Sequence, residues 1–125
     1  MELSERDHVW NRAALEAGGA IPPEGDRALA ALLAVHGMVM NGGIDHAVEA
    51  LTAGEFAAGI AGFRYFDLLE VASVLEAAIV ADVSWELLNS KYGALVPEDG
   101  TLVRAFARKY LASPAAFAPL GRVNA

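Results

Sequence analysis

The sequence predicts an all-α fold: a single domain over residues 1–125, built as a bundle of about six helices with short connections. Three observations carry this expectation. Alanine, the strongest helix former, occurs 26 times. Strand formers are sparse, with 11 Val, 4 Ile and only Thr52 and Thr101 as threonines. Helix start and stop signals recur along the whole chain, whose 125 residues suit one core. Alanine adds little volume, so the helices are expected to pack closely around a modest core of Leu and a few aromatics.

Ser4 to Ala17 reads as the first helix. Ser4 is placed to cap it, with Asp7 three residues on in a capping-box-like position. Leu3, Trp10, Ala13, Ala14 and Ala17 form the stripe expected to be buried, and Gly18-Gly19 ends the helix. Ile21-Pro22-Pro23 is a stiff connector. The second helix starts near Pro23 or Asp26, where Glu24 and Asp26 suit its positive dipole end. Leu29, Leu32, Leu33, His36 and Met40 follow the spacing of one helix face. Asn41-Gly42-Gly43 stops it, and a short third helix spans Ile44 to Leu51.

Thr52 and Glu55 form a capping-box signature for a fourth helix through about Ala61, which Gly59 and Gly62 are expected to shorten. Asp67 and Glu70 repeat the signature and open a fifth helix. Its residues Leu68 to Val80 leave little polar surface, which predicts a central helix. Ser84 either caps a separate helix carrying Trp85, Leu87 and Leu88 or lies within one bent rod. Tyr92-Gly93 closes that segment, and Pro97-Glu98-Asp99-Gly100 is a turn. The last helix runs from Gly100 or Thr101 to Ala112, with Leu102, Val103, Phe106 and Tyr110 inward and Arg104, Arg108 and Lys109 on its outer side. Ser113-Pro114 ends it, and Phe117 and Leu120 are expected to dock on the body.

The charge is polarised. Residues 1–99 hold all 16 acids against five bases, a net of −11, whereas residues 101–125 hold four bases and no acid. An acidic body repels nucleic acid and anionic membranes and attracts basic proteins. The partner expected is therefore a basic protein, with no direct nucleic-acid contact and no membrane association. The basic last helix, through Arg104, Arg108 and Lys109, can also pair with the acidic body across a symmetric homodimer. There is no cysteine, hence no disulfide and no thiolate metal site. The charged N-terminus lacks an apolar signal core, and the densest apolar run, Ala28 to Val35, stops at His36. A cytoplasmic location is the expectation.

Motifs for catalysis are missing. His8, His36 and His46 form no zinc-binding pair, and His36 reads as a hydrogen-bonded core histidine. His46 beside Asp45 could meet a metal, but no metal or cofactor is expected. No serine lies in a nucleophile elbow. Asn41-Gly42-Gly43 follows a helix rather than a strand and lacks the Lys-Ser/Thr ending of a phosphate-binding loop, so it reads as a tight turn. The chain is thus expected not to be an enzyme.

Val35 to Asp45, reading Val-His-Gly-Met-Val-Met-Asn-Gly-Gly-Ile-Asp, resembles the signature of the DNA-mimic-protein-like helical domain family, a domain of unknown function. The matching residues are the turn Asn41, Gly42, Gly43 and Asp45, and the likeness extends over roughly 28–118. Gly62-Phe63 before the fifth helix, and Leu102, Phe106, Tyr110 and Phe117 near the end, are similar in place to the family's later segments. The family's aromatic and polar loop after the turn is replaced here by His46 to Gly54. The resemblance implies a helical fold and, for the member that named the family, mimicry of DNA toward a DNA-binding protein.

A mimic needs grouped, outward carboxylates, on the order of the ~6–10 phosphates that DNA-holding proteins neutralise. In an unbroken fifth helix, a turn of ~100° per residue would bring Asp67, Glu70 and Asp82 within about 120° of one another, with Glu76 elsewhere. Glu86, Glu98 and Asp99 would extend the patch. The leading expectation is an acidic, non-enzymatic protein-binding domain that engages a basic nucleic-acid-binding partner. Rival expectations are an immunity-type inhibitor of a toxin enzyme, and a small-ligand binder or enzyme with an unrecognised site.

Overall fold

The computed structural model describes residues 5–16, 22–80 and 82–117. They form an all-α, single-domain bundle of six helices: α1 (Glu5–Glu16), α2 (Glu24–Ala50), α3 (Ala53–Tyr65), α4 (Leu69–Val80), α5 (Trp85–Leu95) and α6 (Asp99–Ala112). A single 3₁₀ turn, Pro114–Ala116, follows. Ser4, Leu3, Ala17, Gly18-Gly19 and Leu120 lie outside the described residues.

The central element is α2, not the apolar helix α4. α2 packs against α1, α3, α4, α5 and the 3₁₀ turn. At 27 residues it is also long and apolar enough, by length and composition, to cross a membrane, a length that the expected stop at Asn41-Gly42-Gly43 hid. Its second part is the expected short helix from Ile44, and both parts belong to one element broken at Gly43. Leu29, Leu32 and His36 are buried as expected, but Met40 is 63% exposed, and Val35 and Val39 take the inner face. On α1, Val9 and Ala13 are buried and Ala14 is exposed. Arg12 of α1 reaches Asp26 in the first turn of α2 at 2.6 Å. Asp26 is 1% exposed, a depth that a carboxylate tolerates only with such a partner.

α3 is longer than expected because its glycines serve packing. A Cβ at Gly59 would strike the Val35 side chain, and one at Gly62 would lie 2.5 Å from the Ala28 carbonyl. Both glycines are buried against α2. They let the two backbones approach closely, which outweighs their weaker helix propensity. Thr52 caps α3 with the full capping box: Glu55 N–H donates to Thr52 Oγ1 at 3.0 Å, and Thr52 N–H donates to Glu55 Oε1 at 2.8 Å.

The second expected capping box fails. Asp67 takes φ 63°, and Leu68 N–H and Asp67 N–H donate back to the Phe63 and Arg64 carbonyls. That is the paired pattern of a left-handed C-terminal cap, so Asp67 ends α3 rather than starting α4. α4 then buries Val71, Ala72, Val74 and Leu75 but leaves Leu69, Ile79 and Val80 exposed. Of the two alternatives at Ser84, the separate helix holds: its hydroxyl accepts from Leu87 N–H at 3.2 Å. α5 runs past Gly93 to Leu95. In α6, Leu102, Ala105 and Phe106 face inward, Tyr110 is half-buried, and Val103 is exposed. Phe117 is buried as expected, against Phe66, Phe106 and Tyr110.

Candidate functional site

The Asn41-Gly42-Gly43 turn is held by a residue far away in sequence. Gly43 adopts φ 91°, ψ 174°, a region that is essentially glycine's alone. This kink frees the N–H of Ile44, and Asn89 Oδ1 on α5 accepts it at 2.8 Å. Asn89 thereby caps the second part of α2 from another helix. Its amide lies over the glycine: a Cβ on Gly43 would meet Asn89 Nδ2 at 3.0 Å and Asp45 Oδ1 at 2.7 Å. Asn41 is exposed, with Nδ2 3.5 Å from His46 Nε2. The freed N–H goes to Asn89, so the turn is a built corner rather than an anion cradle.

About two helical turns before Gly43, His36 sits between two oxygens. Its Nε2 is 2.9 Å from Asp99 Oδ1, and its Nδ1 is 2.7 Å from the Tyr92 hydroxyl. The Asp99 carboxylate accepts from Nε2–H, and in the neutral imidazole that leaves Nδ1 to accept the Tyr92 O–H. Burial, and then the negative charge of Asp99, hold the Tyr92 hydroxyl well above its usual ionisation range. Tyr92 therefore stays a proton donor. The chain of hydrogen bonds ties together α2, α5 and the first turn of α6. Both nitrogens of His36 are occupied, so the trio is a polar lock that runs from the buried Tyr92 hydroxyl through buried His36 to the exposed Asp99 carboxylate.

The six acids singled out in the sequence are all exposed, but they do not form one row. α4 and α5 pack side by side as an antiparallel hairpin, because Leu69, Glu70 and Val74 of α4 face Lys91, Ala94 and Leu95 of α5 across a groove of about 520 Å³. Asp67 and Glu70 therefore lie at the end of the hairpin from which the chain leads to Glu98 and Asp99. Asp82 and Glu86 lie at the other end, roughly 18 Å away along α4. The break between α4 and α5 removes the unbroken helix on which the single patch depended. Asp99 is also engaged with His36, and Glu98 pairs with Arg104 at 3.3 Å. Among the described residues, Asp67, Glu70, Asp82 and Glu86 have no side-chain partner.

Beside Asp82 and Glu86 the hairpin turn shows Ile79, Val80, Trp85 and Leu87 to solvent, with Val80 78% exposed. The sequence pattern put Ile79 and Val80 inside, since a helix apolar on most sides reads as central. The bases of α6 are not a uniform face. Arg104 pairs with Glu98, Arg108 is exposed, and the Lys109 ammonium lies 4.5 Å from the centre of the Tyr65 ring. Comparison with known proteins finds no family model, curated protein or solved structure that matches the chain.

Proposed function

We propose that the chain is a non-enzymatic binding domain whose α4–α5 hairpin engages a basic protein, of the kind that binds nucleic acid. The observation that carries this reading is the turn of the hairpin. There Asp82 and Glu86, with no partner among the described residues, flank four exposed apolar side chains that include Trp85. Exposed apolar groups rimmed by charge are a mark of protein-binding surfaces, and tryptophan is enriched among residues that dominate binding energy. The carboxylates set the partner's sign: it presents Lys or Arg around an apolar socket. The resemblance at Asn41, Gly42, Gly43 and Asp45 supports the nucleic-acid-binding class of partner. The two-group arrangement of acids favours a mixed apolar and acidic contact over imitation of a continuous phosphate row.

The test is capture from a native-host lysate with the purified chain as bait, alongside Trp85→Ala and the pair Asp82→Asn, Glu86→Gln. A basic partner is expected, eluting as salt screens the charges. Both variants are expected to recover less of it, and duplex DNA to compete. An acidic partner, or binding indifferent to salt and to all three substitutions, would overturn the reading.

A further inference from the structure

The outer face of α6 complements the hairpin turn in both charge and apolarity. Val103, Ala107 and Leu111 are spaced i, i+4, i+8 and so form one row along the helix. Val103 and Leu111 are exposed, Leu111 to 74%. Arg104 and Arg108 form the adjacent row, about 100° round the helix. Arg108 has no carboxylate partner among the described residues, and the Arg104–Glu98 pair is exposed on both sides and weak. α6 thus presents an apolar strip beside a basic one. The hairpin turn presents Ile79, Val80, Trp85 and Leu87 beside Asp82 and Glu86.

We propose that a second copy of this chain is the occupant of this face: the α4–α5 turn of one copy docks on the outer side of α6 of another. Apolar side chains meet Val103 and Leu111, and Asp82 and Glu86 meet Arg104 and Arg108. Lys109 takes no part, because it already lies over Tyr65. The sign of the charges selects the pairing, since turn against turn would set carboxylates together and α6 against α6 would set guanidinium groups together. The inference goes beyond partner binding, because the self-contact covers the same turn. A basic partner and a second copy therefore compete for it.

Light scattering and sedimentation of the purified chain test this without any partner. Self-association is expected at low salt and is expected to weaken as salt rises. Leu111→Gln changes a solvent-facing side chain and is expected to weaken it about tenfold with circular dichroism unchanged. The pairs Asp82→Arg, Glu86→Arg and Arg104→Glu, Arg108→Glu are each expected to be monomeric alone. Mixed together, they are expected to associate again with one another. A chain that stays monomeric at both salt levels overturns the proposal, while leaving the partner reading to the lysate capture. Self-association untouched by Leu111→Gln, or charge-swapped variants that fail to recover on mixing, would overturn it as well.

Discussion

Gly43 shows how a single backbone angle can explain a motif. Its φ of 91° breaks α2, turns the chain and frees one N–H for Asn89. An alanine there would be strained and would crowd the Asn89 amide, so Gly43→Ala is expected to cost about 1–3 kcal/mol in urea unfolding. A Gly43→Ala variant as stable as the original chain would show that the break is not what the glycine supplies. The Asn89 partner was invisible in the sequence, because nothing local marks an asparagine on α5 as a cap for α2. Tyr92 poses a second test. Its charged form is disfavoured in the fold, while the unfolded chain releases the proton near the ordinary value of 10.0. The folded state thus holds the proton that the unfolded state has lost. Stability is complete below that value and falls as pH rises above it. Tyr92→Phe is expected to make this alkaline fall shallower. At neutral pH it is expected to destabilise by about 1–3 kcal/mol, because Nδ1 of buried His36 loses its donor. An unchanged alkaline slope would show that other groups govern it.

At the scale of helices, the same residue type has opposite effects according to what faces it. Gly37 lies in α2, where an added Cβ would meet nothing within 4 Å, whereas Gly59 in α3 is pressed against Val35. Gly37→Ala is therefore expected to raise stability by about 0.5–1 kcal/mol. Gly59→Ala is expected to lower it by about 1–3 kcal/mol, as α2 and α3 are forced apart. Thermal melts of the two variants would check this, and equal shifts would refute the close-approach account of α3. Glycine in a helix carries a propensity cost that can be read from sequence. The neighbour that makes it worthwhile cannot, which is why the expected α3 ends early. The apolar stretch of α4 misleads in a related way. Helical periodicity reveals which faces are apolar, but not how many neighbouring helices are available to cover them.

For the whole molecule, charge is the property most open to test. Net charge is −7, and Asp67, Glu70, Asp82 and Glu86 have no partner among the described residues. Self-repulsion among such groups opposes the compact state and is screened by salt. The melting temperature is expected to rise when sodium chloride is added at neutral pH. In a sample dilute enough to be monomeric, a fall would mean that the surface pairs, such as Arg64 with Glu76 at 2.7 Å, outweigh the repulsion. The same experiment bears on self-association, because salt stabilisation of the fold and salt weakening of a dimer act in opposite directions.

By itself the sequence determined the helical class, the cap at Thr52, the break at Asn41-Gly42-Gly43 and the stop at Ser113-Pro114. At Ser84 it left a separate helix or one bent rod open, and the structure has the separate helix. All of these depend on propensities and hydrogen bonds within a few residues, which local spelling records. Only the tertiary structure decided that α2 is central, that Asn89 and Tyr92 lock it to α5, and that the acids divide between two ends of a hairpin. It also placed Ile79, Val80, Trp85 and Leu87 in solvent. Those outcomes depend on which helix lies beside which, and contacts between residues 36 and 99, or 44 and 89, are set by packing rather than by neighbours in the chain.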